Sequence, residues 1–438
     1  MSGLSYAAVL PVAARELDGV ALYGPAVTAA GVVGIAVMPV GAYLYGRLGP
    51  QSQLCLSTGV FLLGVALSVT AMTMEVLIAG LATRGLAAGL LAGLGLGVLS
   101  GLYDDPRERE RALGMFALMW VVPSLISPLV NSAILLSVGW RPAMAWPAIL
   151  LLIGRMLVSR SLRRVTVERP SAPARIRGAS WFVAIAAGLA VAQLAISVGT
   201  PAAVVIVLLA IALVLSLPFR RALVSTTPGR RTAQSGGWAL ALVCGGYFGI
   251  GALLPLLAVV LIDPTGVLGA VLVALGPLAW ALLSAGGLGP RLSPRAARRA
   301  AAAGFPLGAA LAAVGALTSA DDGLVASVLL GSAAVAIGAA MGVIYPKVMT
   351  LAFVGFREEG GTTRAHGGVV LSLSEDLGTA AGATVLAGVG GLLITFGAEW
   401  AALLLGVVGI VLAALWAIAQ RGVLWGAEPD GAEGAVSF

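Results

Sequence analysis

The sequence predicts an all-α polytopic membrane protein: two six-helix bundles with a two-helix insertion, about fourteen transmembrane helices in all, the first of them short. Three observations carry this reading. Of 438 residues, 59% are hydrophobic and only 10% are charged, against roughly 25% charged in an ordinary soluble chain, so a water-facing surface cannot be assembled. Apolar stretches near the length of about 20 residues that a bilayer crossing needs recur along the whole chain. The short connections between them alternate between strongly basic and almost free of Arg and Lys, as orientation by the positive-inside rule requires.

Taking charged or Gly/Pro-rich breaks as boundaries, the spans fall at 1–14, 21–45, 52–73, 76–102, 112–137 and 140–159; then 180–198 and 201–218; then 237–262, 266–288, 301–319, 323–346, 367–396 and 399–420. The chain therefore divides into an N-terminal six-helix bundle (1–159), a basic loop (160–179), an inserted hairpin (180–218), a second basic loop (219–236), a C-terminal six-helix bundle (237–420) and a tail (421–438).

The loops test this count independently. One side carries Arg47, Arg107, Arg109, Arg111, the six arginines of 160–177, Arg220, Arg221, Arg230, Arg231, Arg291, Arg295, Arg298, Arg299, Lys347, Arg357, Arg364 and Arg421. The other carries Arg15 and Arg141, accompanied by Asp18, Asp263, Asp321, Asp322 and Glu399. Miscounting one interior span would scramble every later loop, so both termini are expected in the cytoplasm of a cell inner or plasma membrane.

The first span is the weak point, since 1–14 rises only about 21 Å against a core of about 30 Å. An upstream extension completing that helix is the expectation. The stretch lacks the basic start of a signal peptide.

The net charge of +7 does not point to nucleic acid, because the basic residues sit in short loops beside apolar runs. Cys55 and Cys244 each lie in an apolar run with no CxxC or His neighbour, so neither a metal site nor a disulfide framework is expected. No cofactor signature is present.

Two turns echo each other. Tyr45-Gly46-Arg47-Leu48-Gly49-Pro50 follows the second span, and Gly286-Gly287-Leu288-Gly289-Pro290-Arg291 follows the tenth. Each lies two spans into its group of six, as in transporters built from structural repeats. With the buried Arg84 and the Gly139-Trp140-Arg141 opening of span six, the chain resembles the major facilitator superfamily, and within it the fourteen-span drug:proton antiporter branch. Gly46-Arg47-Leu48-Gly49 is similar to that family's cytoplasmic gate motif, with Gly46 standing where the family usually has Asp. Pro123 to Ser132 has the spacing of the antiporter motif but keeps only Pro128; it still implies a proline-bent helix.

An ionisable residue inside a span costs roughly 2.5–3.5 kcal/mol on insertion scales, so each is a functional hypothesis. Arg84 falls near the midplane of span four, where it either holds a substrate anion or keeps a partner carboxylate ionised. The structural alternative is a hydrogen-bond donor to carbonyls of a bent neighbour. Arg155, close to Arg160, is expected to snorkel to the headgroups.

Glu375 and Asp376 lie inside span thirteen. Adjacent residues project about 100° apart, so one at most is expected to face the cavity squarely. Glu375 is preferred as the proton carrier because Ser372, Gly378, Thr379 and Gly382 share its face. Alternatively this helix begins deeper and both carboxylates touch cytoplasmic water. Asn131 in span five is a further candidate for the substrate or proton path.

Gly85, Gly89, Gly93, Gly97 and Gly101 recur every fourth residue, a ridge that lets helices approach closely. The run Asp104-Asp105-Pro106-Arg107-Glu108-Arg109-Glu110-Arg111 is either a plain solvated loop or, as the resemblance implies, pairs across the cytoplasmic gate with Arg47 as one partner, Gly46, Gly49, Gly289 and Arg291 forming its other parts.

No metalloprotease, hydrolase-elbow or phosphate-loop signature occurs, which argues against an enzyme. Two halves with midplane charges suit alternating access better than a pore. The resemblance implies a monomeric secondary transporter exchanging protons for a small organic or drug-like compound; the alternative is a facilitator or symporter for a polar metabolite.

The topology yields the first prediction. Single cysteines placed in the loop 160–177 of a cysteine-free variant will resist a membrane-impermeant maleimide added outside intact cells and react once the membrane is opened. Labelling from outside would contradict the assignment.

Overall fold

The computed structural model describes residues 9–91, 127, 130–131, 133–162, 178–200, 202–227, 231–285, 292–354 and 361–420. Regular structure among these residues is entirely helical, and twelve helices are long and apolar enough to cross a membrane. They coincide with spans two to four, six to eight and nine to fourteen of the sequence reading. Most of span five and the start of span one lie outside the described residues.

In chain order the helices are α1 (Leu10–Glu16), α2 (Tyr23–Val69), α3 (Met74–Leu91), α4 (Trp140–Ala145), α5 (Pro147–Leu162), α6 (Ala179–Ser197), α7 (Ala202–Val214), α8 (Arg220–Thr226), α9 (Arg231–Leu261), α10 (Val267–Ala285), α11 (Pro294–Thr318), α12 (Gly323–Val354), α13 (Gly361–Ala383), α14 (Gly390–Ile394) and α15 (Ala398–Gln420). Wide π-helical turns, Leu215–Phe219 and Thr384–Val389, join α7 to α8 and α13 to α14.

Polar side chains end these helices where the chain leaves the apolar region. The Asp322 carboxylate accepts from the Leu324 and Val325 amides at 2.9 and 3.1 Å. Ser293 caps α11, its hydroxyl accepting from the Ala296 amide at 3.2 Å, with Pro294 as the first helical residue. Both devices satisfy amides that a helix start leaves unpaired.

The expected turn after span two is sharper than a loop. α2 runs through both spans and breaks only at Gly49, where φ is 78° and ψ is 166°, a backbone setting that a side chain resists. Gln53 holds the bend, its amide donating to the Gly41 carbonyl at 2.7 Å and also to the Leu90 carbonyl of α3.

Hydrocarbon gives helices no hydrophobic reason to associate, so contact depends on small residues and backbone proximity. A Cβ on Gly85 would overlap the Ala30 carbonyl, and one on Gly89 the Gly34 carbonyl. The expected ridge therefore packs α3 on the first span of α2; Gly93, Gly97 and Gly101 lie outside the described residues. The corresponding spans of the second half meet in the same way, with Gly338 of α12 against the backbone of Gly276 in α10.

Between the halves, the Tyr23 hydroxyl donates to the Ala252 carbonyl at 2.9 Å and Arg15 donates to the Val259 carbonyl at 3.4 Å. Gly24 leaves room for Gly388 in the same region. These contacts lie toward the Arg15 end, where Glu16 and Arg141 also pair at 3.2 Å. The hairpin of α6 and α7 touches both halves: its Phe182, Ile185 and Leu189 share a core with Ile35 and Met38 of α2 and Leu373 and Leu377 of α13. Gln193 of α6 donates to the Thr384 hydroxyl at 2.6 Å.

The packing generates the second prediction. Gly89→Val will lower unfolding free energy by about 1–3 kcal/mol or prevent folding, whereas Gly59→Val, where a Cβ meets nothing within 4 Å, will change little. Thermal unfolding in detergent compares them; equal midpoints would contradict the close-approach account.

Candidate functional site

A cavity of about 260 Å³ lies between the halves, lined by Tyr23, Thr28 and Arg84 from the first and by Tyr247, Phe248, Glu375, Asp376 and Thr379 from the second. Most of its remaining wall is aliphatic, Leu81, Leu254 and Leu272 among it. A few polar groups converging in an apolar enclosure is the usual form of a small-molecule site.

Arg84 is 2% exposed. One guanidinium nitrogen donates to the Met144 carbonyl at 3.2 Å, and the group lies 5.8 Å from the Phe61 ring centroid. Gly64 makes space for it, since a Cβ there would stand 2.8 Å from Arg84 Cγ. Arg84 is thus anchored to a carbonyl at the cavity wall.

Glu375 and Asp376 both line the cavity. Their side chains leave α13 about 100° apart, and the lining takes in both. The face proposed for Glu375 resolves differently. Thr379 reaches the cavity, but Gly378 and Gly382 press on the backbones of Ala241 and Gly245 in α9. They are spacers that bring the carboxylates close to α9, and Cys244 lies near enough to both for their charges to interact.

The other expected residues are placed as follows. Asn131 is buried but absent from the described cavity wall; its amide oxygen accepts from the Trp146 indole at 2.6 Å, which ties neighbouring helices. Arg155, expected to snorkel, donates to the Leu54 carbonyl and the Ser57 and Thr58 hydroxyls at 3.1, 2.6 and 3.1 Å, stitching α5 to α2. Arg47 is exposed and stands 5.9 Å from the Tyr43 ring centroid. The run carrying Arg107, Arg109 and Arg111, expected to pair with it across the gate, lies outside the described residues, as do Gly289, Arg291, Pro123 and Pro128; Gly46 lies within α2.

Sequence reasoning missed the aromatic lining. Tyr23, Tyr247 and Phe248 sit in apolar runs where they read as core. For the tyrosines the available signal was a hydroxyl that must find a partner when buried.

The Major Facilitator Superfamily model matches residues 1–374. The chain belongs to this superfamily of membrane transporters. Among its relatives, the major facilitator superfamily multidrug transporter mfsC of Aspergillus fumigatus is 29% identical over 149 residues, covering 34% of this chain and 29% of that protein. A protein named as a probable multidrug-efflux transporter in Mycobacterium tuberculosis is 30% identical over 156 residues, 35% of this chain and 32% of its own length. The matched segments thus span about a third of those relatives. In fold, the chain superimposes on a POT family transporter crystallised with 5-aminolevulinic acid with a TM-score of 0.65 at 16% identity, covering 96% of this chain and 94% of the other. An auto-inhibited POT family peptide transporter gives 0.64 at the same identity and coverage. This superfamily member is therefore a multi-pass membrane protein, and its cavity lies between the halves.

Proposed function

We propose that the protein exports a small organic, drug-like compound in exchange for protons, by alternating access about the cavity between a bundle of residues 1–159 and a bundle of residues 237–420. The observation that carries this reading is a pair of carboxylates, Glu375 and Asp376, in the wall of a largely apolar cavity between the halves. A carboxylate kept in an apolar enclosure has a role that repays its cost, and exchanging a proton for a substrate is the role this place fits. Drug-transport names among the relatives support the same direction.

In this scheme an ionised Glu375 or Asp376 attracts the polar or cationic part of a substrate while Tyr247 and Phe248 cover its apolar body. A proton arriving from the far side neutralises the carboxylate, weakens that attraction and releases the substrate. Arg84 stands on the opposing wall, where it completes the charge balance. The protein acts as a monomer with both termini in the cytoplasm, and the inserted hairpin of residues 180–218 rides between the moving bundles.

One observation favours the second reading, a symporter or facilitator for a polar metabolite. A cation on one wall and carboxylates on the other also fit a zwitterion.

Proteoliposomes with an imposed proton gradient decide between these, with ethidium as the fluorescent probe and a neutral amino acid as the alternative cargo. The expected result is ethidium movement against the proton gradient that Glu375→Gln abolishes, with the variant inserted and folded as the parent is, since Gln keeps the shape of the side chain that it replaces. Gradient-driven exchange that persists unchanged in Glu375→Gln would contradict the assignment of that residue.

A further inference from the structure

Behind the cavity wall lies a row of aromatic rings that transport by two carboxylates does not by itself require. Tyr247, in the wall, stands edge-on to Trp280 with centroids 5.5 Å apart, and Trp280 stands edge-on to Tyr345 at 5.2 Å. The Tyr345 hydroxyl and the Glu375 carboxyl stand within reach of one another. The row therefore starts at the surface a substrate would touch and ends on a proton-binding group, crossing α9, α10, α12 and α13.

The backbone is arranged to hold this row. Gly276 and Gly338 let α10 and α12 approach until their backbones touch, and a Cβ on Gly342 would stand 2.7 Å from the Trp280 carbonyl. Ser284 of α10 donates to the Gly342 carbonyl at 3.0 Å. Close approach at those positions places Trp280 against Tyr345, whose neighbour Pro346 lies inside α12.

The groups facing Glu375 are few. α12 contributes Tyr345; α9 contributes Cys244 and, along the wall, Tyr247; α13 itself contributes Asp376; across the cavity stand Tyr23 of α2 and Arg84 of α3. Of these described groups, Tyr345 is the one whose hydroxyl stands within reach of the Glu375 carboxyl while its ring leans on a chain leading to the substrate wall.

We propose that Tyr345 is a positioning residue for Glu375, and that the Tyr247–Trp280–Tyr345 row passes substrate occupancy of the cavity to the proton on Glu375. This rests on the exchange reading given above and deepens it. A molecule lodging against Tyr247 displaces that ring, Trp280 follows because edge-on pairs have a preferred geometry, and the hydroxyl of Tyr345 loosens or tightens its hold on the carboxyl. A hydrogen bond given to a carboxylate stabilises its charged form over its protonated one, so a change in that bond changes proton occupancy. No bond other than this hydrogen bond and the carboxyl O–H is made or broken.

Trp280 makes the proposal testable without a substrate. In the purified full-length protein, tryptophan emission followed across the range where interior carboxylates titrate should contain a pH-dependent component that disappears in Trp280→Phe, in Glu375→Gln and in Tyr345→Phe. Tyr247→Phe, which keeps the ring, should retain it. The same component persisting at full amplitude in Tyr345→Phe, or missing from the parent protein, overturns the proposal. A second measurement, in proteoliposomes, guards against a folding defect. Tyr345→Phe should shift the pH midpoint of ethidium–proton exchange while its KM for ethidium stays within twofold of the parent; an unchanged midpoint counts against the proposal. If the parent exchanges no ethidium for protons yet the emission behaves as described, the exchange reading fails and the link from Tyr345 to Glu375 stands. Exchange that is coupled in the parent and indifferent to Tyr345→Phe leaves that reading intact and removes this one.

Discussion

Hydrocarbon offers a polypeptide no hydrogen bonds and gives its helices no hydrophobic reason to meet. The first half of that constraint makes the described chain wholly helical. The second explains why its helix contacts run through glycine: Gly85 on Ala30, Gly89 on Gly34, Gly338 on Gly276, Gly378 on Ala241 and Gly382 on Gly245. Where backbones come this close, dispersion between many atoms replaces the driving force that water supplies elsewhere. It also decides where charges go. Glu375, Asp376 and Arg84 share one cavity, away from the lipid that would not tolerate them.

The same packing divides the molecule's charges between its halves. The cation of the cavity belongs to α3 and the carboxylates to α13, so a relative movement of the halves changes the distance between opposite charges. Contacts between the halves include Tyr23 to Ala252 and Arg15 to Val259, toward the Arg15 end. The inserted hairpin packs on α2 and α13 together. Its Gln193–Thr384 hydrogen bond falls on the π-helical turn of Thr384–Val389, a kind of irregularity often found at functional positions in helices.

What the sequence made legible follows from the same physics. Apolar length and alternating loop charge read through to the spans because each is a local property, and the twelve described membrane helices coincide with expected ones. Arg84, Glu375 and Asp376 were legible because a charge in a span is rare enough to mean something. What depends on a neighbouring helix was not. Gly378 and Thr379 stand side by side in the sequence, yet one packs on α9 and the other lines the cavity. Asn131 and Arg155 looked like a substrate ligand and a snorkelling cation, but each found a partner across a helix interface instead. The Tyr247–Trp280–Tyr345 row joins residues from three helices at separations that no sequence period encodes.

The central claim is that protonation of the cavity carboxylates shifts the relative position of the two halves. Spin labels at Met72 and Val267, exposed positions that flank the Arg15 end from opposite halves, would report it in a cysteine-free chain by pulsed dipolar distance measurement. The account predicts two distance populations whose ratio changes with pH in the parent and stays fixed in the Glu375→Gln, Asp376→Asn double variant. A single distribution unaffected by pH in the parent, or a double variant that responds to pH as the parent does, would contradict it.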